Sequence, residues 1–252
     1  MDRLIYTAVS GMNAAMARQR MIASNMANAQ TIGFRAEIMV ATPQTLVDPN
    51  GAPDVRSMTA GSVTGASMKA GSLVQTGREL DVALAGDAML TVQAPDGGEA
   101  YTRRGDLSIS ASGVVQNGEG LPVIGENGPM TLPLGSRISI APDGSIMSSN
   151  PETPDAPPVK VDRLKLVSAR GSQIEKDLAG LFRVPGADGA YGVLPNNEDA
   201  RLMPGALEQS NVNPSEVLVQ MVESQRLYDM RTKFIATARE LDERGAQLMR
   251  MS

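Results

Sequence analysis

"SNMANAQTIGF", residues 24–34, closes a stretch that reads as a helix, yet it holds two asparagines and ends on Thr31-Ile32-Gly33-Phe34. A matching piece, "SNVNP" at 210–214, stands just outside a second helical pattern near the other terminus. What these two pieces bracket decides the fold. Residues 1–42 hold no proline and two glycines, and residues 215–252 hold no proline and one glycine. All 16 prolines therefore fall between 43 and 214, with all but three of the 25 glycines. Proline and glycine break helices, so the ends are free to be helical and the middle is not.

Each end carries its own apolar periodicity. Ile5, Val9, Met12, Met16, Gln19, Ala23 and Met26 alternate steps of four and three, a coiled-coil seam with one polar break. Methionine dominates it, which makes a pliable contact surface. Near the C-terminus Leu227, Phe234, Leu241 and Leu248 repeat every seven residues, with Met230 between the first two and Val217, Met221 and Tyr228 extending an apolar side upstream. In "NPSE" Asn213 suits a cap, Pro214 the first helical position, and Glu216 a capping-box partner. The first helix is expected to stop near Gly33 in a left-handed cap, with Phe34 folding back on its last turn. Helices of this kind are marginal alone in water, so the two stripes call for cover from each other, from copies of themselves or from partners. Asn25 and Asn28 lie three apart on one side of the first helix. Their amides can bond neighbouring backbone or an adjacent subunit and so fix axial register, or Asn28 can act only as a local terminator.

The middle reads as β structure. "AMLTVQAPDGGEAYTRRG" (88–105) is a strand, a Pro-Asp-Gly turn and a second strand. "LSISASGVVQNGEGLPVIG" (107–125) repeats that grammar around Asn117-Gly118, and "RISIAPDGSIM" (137–147) around Asp143-Gly144. In "VKVDRLKLV" (159–167) the alternation slips phase at Asp162-Arg163, which predicts a bulge or a corner. Residues 43–75, poor in large apolar side chains, read as a connector or flap, and "SNPETPDAPP" (149–158) as a stiff surface loop. The expected class is α+β: paired N- and C-terminal coiled-coil-like helices with a central antiparallel β body, sandwich-like or barrel-like. The expected division is a helix at 1–35, an extended connector at 36–75, a β-rich outer body at 76–205 and a helix at 206–252.

Composition prunes function. The 252 residues include no cysteine and no histidine, so thiolate chemistry, Ser-His-Asp and Cys-His nucleophile systems and the best transition-metal ligands are absent. A net charge of -5 speaks against a nucleic-acid partner. No Gly-Lys pair exists for a phosphate loop, and "NGEGLPVIG" fails the dinucleotide spacing because Val123 stands in the third glycine's place. No secretory or membrane-spanning apolar run occurs. Glu79, Asp81 and Asp87 in "GRELDVALAGD" (77–87) could pair as acid and base in a secreted β-rich hydrolase. Acids at strand ends are usually just solvated, and so few aromatic residues offer little surface for sugars. No catalytic residue, cofactor, metal or small-molecule substrate is expected.

Three motifs carry a resemblance. "SGMNAAMARQRMIASNMANAQTIGFR" (10–35) resembles the N-terminal signature of the bacterial flagellar rod and hook proteins, with Ser10, Gly11, Asn25, Ala27, Asn28, Thr31, Gly33 and Phe34 all fitting. "TGRELDVALAGDAMLTV" (76–92) and "YTRRGDLSISASGVVQNGEGLPVIG" (101–125) resemble the family's middle segment, although Ala88-Met89-Leu90 replaces its usual glycine and bulky aromatics. "GALEQSNVNPSEVLVQMVESQRLY" (205–228) is similar to its C-terminal signature. The opening "MDRLIY" and the length look most like the proximal-rod branch, with the distal-rod paralogue as the alternative.

The resemblance implies a structural subunit of the flagellar basal-body rod, partnered by its own copies, other rod subunits and the type III export apparatus. It implies export without a cleaved signal peptide to the periplasmic rod. The assembly interface it implies comprises Ile5, Val9, Met12, Met16, Ala23, Asn25, Met26, Asn28, Gly33 and Phe34 at one end. At the other end it comprises Asn211, Asn213, Met221, Leu227, Tyr228, Phe234, Leu241 and Leu248.

Overall fold

A computed structural model describes residues 2–45, 57–150, 157–177, 179–186 and 190–250, with the side chains of residues 2–8, 40–45, 57–62, 64, 238, 239 and 241–250 outside that description. The chain forms two compact units. The first comprises Met1–Ala27, Glu37–Gly65 and Asn213–Ser252; the second comprises Asn28–Ala36 and Ala66–Val212.

In the first unit, helix α1 spans Asp2–Ala27 and helix α2 spans Pro214–Arg250. The strands Glu37–Thr45 and Ser57–Ala66 pair as a two-stranded ribbon, where the sequence reads as an extended connector. Helix α1 touches both α2 and the first ribbon strand. The start of α2 follows its sequence signals. Asn213 Oδ1 accepts from the Ser215 amide at 3.1 Å, and its carbonyl from the Val217 amide at 3.0 Å. Glu216 does not form the expected reach-back in any described contact; its carboxylate accepts from Gln220 Nε2 at 3.3 Å, one turn onward.

Helix α1 ends at Ala27, earlier than the sequence suggests. Asn28 starts a tight turn that belongs to the second unit: the Thr31 amide donates to its carbonyl and the Thr31 hydroxyl to its Oδ1, both at 3.1 Å. Gly33 does take the left-handed conformation, at φ +69°, but beyond this turn rather than at the helix cap.

The second unit is an antiparallel β body. A six-stranded sheet runs in the order 166–168, 88–93, 99–102, 182–185, 175–176, with 191–192 added beside 182–185. A three-stranded sheet (137–140, 145–149, 159–163) and shorter two-stranded pairs complete it, and every pairing of described register in this unit is antiparallel. The hairpins expected at Pro95-Asp96-Gly97 and Asp143-Gly144 form, and the chain reverses at Asn117-Gly118, where the Asn117 amide donates to the Leu121 carbonyl at 3.0 Å; strands 107–109 and 115–117 pair through a separate turn at 110–114. The phase slip at 159–167 has both expected consequences. Ile146 faces Asp162 while Met147 faces Lys160, so Val161 is the extra residue of a bulge. After Arg163 the chain leaves the three-stranded sheet, and 166–168 joins the six-stranded one.

Strand Ala88–Gln93 organises the core because side chains alternate across a strand. Ala88, Leu90 and Val92 belong to a large apolar cluster with Val82, Leu107, Ile146, Leu164 and Leu166. Met89 points the other way, into a cluster with Tyr101, Val167, Phe182 and Leu194. The Tyr101 hydroxyl closes that second cluster by accepting from the Leu194 amide at 2.7 Å. Residues 88–90 are thus fully used in packing.

Candidate assembly interface

Among the described side chains both terminal helices are apolar on two neighbouring sides, one more fully covered than the other. On α1 the buried side chains are Ala15, Ile22 and Asn25. On α2 they are Val217 and Ser224, with Met221, Tyr228 and Ile235 half-buried along the same face. The seam of α1 and the Leu227–Phe234 repeat of α2 lie one residue away, a rotation of about 100° on a helix of 3.6 residues per turn, whereas Met221 and Tyr228 of the expected interface fall on the covered side. Val9 is 48% exposed and Met16 40%, Ala23 is exposed, and Met12 and Met26 are half-buried. Leu227 is 38% exposed, Met230 59% and Phe234 63%. The side chains of Ile5, Leu241 and Leu248 lie outside the described ones. Gly11, in the family-like Ser10-Gly11 pair, offers its carbonyl to the Arg231 guanidinium of α2.

The asparagines are engaged within the chain. Asn25 bonds both backbone groups of Glu37, and Asn28 sits in the turn with Thr31. Asn211 Oδ1 accepts from the Ala36 amide at 2.7 Å, while its Nδ2 donates to the carbonyls of Ser67 at 2.9 Å and Lys69 at 2.8 Å. Asn213 caps α2.

A buried ionic cluster, to which sequence reading assigns no role, joins the three motifs inside the second unit. Glu208, from "GALEQ", pairs through Oε1 with Arg35 at 2.8 Å and accepts from the Gly71 amide at 2.7 Å. Its Oε2 accepts from Arg103 Nε at 2.8 Å and Nη2 at 2.5 Å. Arg103, from "YTRRG", also donates to the carbonyls of Leu84, Gly86 and Ala88, each at 2.7 Å. Arg35 follows "TIGF", and its Nη1 reaches the Lys69 carbonyl. Burial, followed by the nearby Arg103 cation, pushes the Arg35 guanidinium below the usual arginine range, while the Glu208 charge opposes that shift. The Phe34 ring lies 3.4 Å beneath Lys176 Nζ, which donates to the Arg35 carbonyl at 3.0 Å, a partner within the second unit that the sequence reading does not name. Gly33 packs so tightly that an added Cβ would stand 2.5 Å from the Arg103 carbonyl carbon and the Arg104 nitrogen.

The carboxylates of a hydrolase reading do not share a cleft; each has a separate partner. Glu79 pairs with Arg137, exposed Asp87 with Arg170 at 2.7 Å, and buried Asp81 accepts from the Thr76 hydroxyl at 2.6 Å. No helix among the described residues is long and apolar enough to cross a membrane.

Comparison with known proteins agrees with this layout. Residues 5–35 match the family model described as Flagella basal body rod protein, 83–148 that of the Flagellar hook protein FlgE/F/G D1 domain, and 203–248 that of the Flagellar basal body rod FlgEFG protein C-terminal. The chain is 41% identical to the flagellar basal-body rod protein FlgF of Salmonella typhimurium and 40% identical to that of Escherichia coli K12, in both cases over the whole of each chain. To the flagellar basal-body rod protein FlgG of Borreliella burgdorferi it is 30% identical, over 94% of this chain and 95% of the relative. The hydrolase alternative finds no support among these relatives, and the chain belongs to the flagellar basal-body rod proteins as a structural member of that family, most like FlgF.

Proposed function

We propose that the chain enters the rod through the uncovered apolar stripes of α1 and α2, which pack in coiled-coil fashion on its own copies and on other rod subunits. The observation that carries this reading is the exposure of Phe234 and Met230 on α2, matched by Val9 and Met16 on α1. Fully burying one such side chain contributes about 1.5–3 kcal/mol, and the chain leaves several without cover. The exposed stripe of α2 carries the large side chains Met230 and Phe234, which suits a helix that must meet further helices. Delivery by the type III apparatus to a periplasmic rod accompanies this reading, and no catalytic step is assigned.

Phe234→Glu tests it. The free chain should keep its unfolding midpoint, since an exposed substitution shifts stability by about 0.5 kcal/mol or less. Incorporation into rods, read by blotting purified basal bodies from a complemented deletion strain, should fail. Normal incorporation of this variant would overturn the reading.

A further inference from the structure

Residues 31–36, 67–71 and 206–211 all belong to the second unit, and none is a member of its two apolar clusters, although Ala206 and Leu207 are buried and 206–208 pairs with strand 73–75. Their mutual links are polar and converge on two side chains. The Glu208 carboxylate takes the Gly71 amide, Arg35 and Arg103, while its carbonyl takes the Gly33 amide at 2.8 Å. Asn211 takes the Ala36 amide and gives to Ser67 and Lys69. Around them the Ser67 amide donates to the Ala36 carbonyl at 2.7 Å and the Asn211 amide to the Phe34 carbonyl at 3.3 Å. These links add to the pairing of 206–208 with 73–75 and to the Lys176 bond to the Arg35 carbonyl, and a buried polar group left unpaired costs about 1–3 kcal/mol.

We infer that these three segments form one cooperative seat, closed by Glu208 and Asn211, which opens and shuts as a whole without opening the sheet core. The C-terminal motif thereby completes the place of the N-terminal one. Glu208 and Asn211 are positioning residues: they touch no partner in this account but hold residues 31–36, from which the chain runs back to α1 and on to the ribbon. Resting on the assembly reading above, a chain whose seat is open joins the rod poorly.

Native-state hydrogen exchange on the full chain in low urea tests the inference. The amides of Gly33, Ala36, Ser67 and Gly71 should share one opening, with protection about tenfold or more below that of Gln93 in the sheet. Glu208→Gln and Asn211→Ala should each lower all four together by about tenfold or more while Gln93 keeps its protection. Loss confined to the amide that each replaced side chain accepts would overturn the seat. So would merging of the four with Gln93 in the unsubstituted chain, a readout that stands even where a variant fails to fold. A shared opening with normal rod incorporation of both variants would overturn only the link to assembly. Phe234→Glu judges the helix stripes separately.

Discussion

Asn25 holds Glu37 by both of its backbone groups: Oδ1 accepts from the Glu37 amide at 2.7 Å, and Nδ2 donates to the Glu37 carbonyl at 3.1 Å. A side-chain amide here does what a neighbouring strand would do, joining the last turn of α1 to the first residue of the ribbon. The Ser24 hydroxyl adds a bond to the Glu37 carboxylate at 2.9 Å. The asparagine near the end of α1 therefore fixes the chain's own path. Asn25→Ala removes both of these bonds to the part-buried Glu37 backbone and should cost about 1 kcal/mol or more. Urea unfolding measures it, and a loss under about 0.5 kcal/mol would count against this role.

Gly33→Ala should be more severe than its size suggests. The position combines a positive φ with backbone of Arg103 and Arg104 at 2.5 Å from the missing Cβ. The conformational part alone costs more than about 1 kcal/mol, and the contact is with main chain that cannot step aside. Thermal unfolding should show a clearly lowered midpoint; a change of under about 2 °C would contradict the packing described.

Acid sensitivity has a traceable contributor in the hairpin turn at Asp143. A backbone hydrogen bond from the Ser145 amide, at 3.0 Å, and a second from its hydroxyl, at 2.8 Å, hold the Asp143 carboxyl below the usual carboxylate range. A depressed carboxylate contributes stability that is present above its unfolded value, near pH 4, and is lost as pH falls through the lower folded value. Asp143→Asn should therefore flatten part of the stability loss below about pH 4 and leave the slope between pH 6 and 8 unchanged. Denaturant titrations at stepped pH measure both slopes, and an unaltered acid slope would count against the turn's role.

The hairpins were readable because turn residues dictate backbone geometry locally: Asp143-Gly144 and Asn117-Gly118 each sit where a chain reversal occurs. The phase slip at Asp162-Arg163 was readable for a similar reason, since side-chain alternation has a fixed period. The inner faces of the helices were harder. Leu227 and Phe234 form the more conspicuous stripe, but the stripe the chain covers runs through Val217, Ser224 and Tyr228. Apolar spacing shows that a side wants cover; it does not show whether the cover comes from the same molecule. On α2 apolar spacing did mark Val217, Met221 and Tyr228 of the inner face, while Ala15 and Ser224, small residues on the inner faces, carry no such mark. The Arg35–Glu208–Arg103 cluster lay wholly inside recognised motifs but could not be read from them, because charges so far apart in the chain meet only through the fold.

Methionine oxidation measures the central claim most directly, because the uncovered stripes carry Met16 and Met230 while Met89 lies fully buried as an internal reference. Brief peroxide treatment should convert Met16 and Met230 to sulfoxide in the free chain and leave Met89 untouched. In purified rods containing the chain, the account predicts that Met16 and Met230 become as protected as Met89. Equal oxidation of Met16 and Met230 in the free chain and in rods would contradict it.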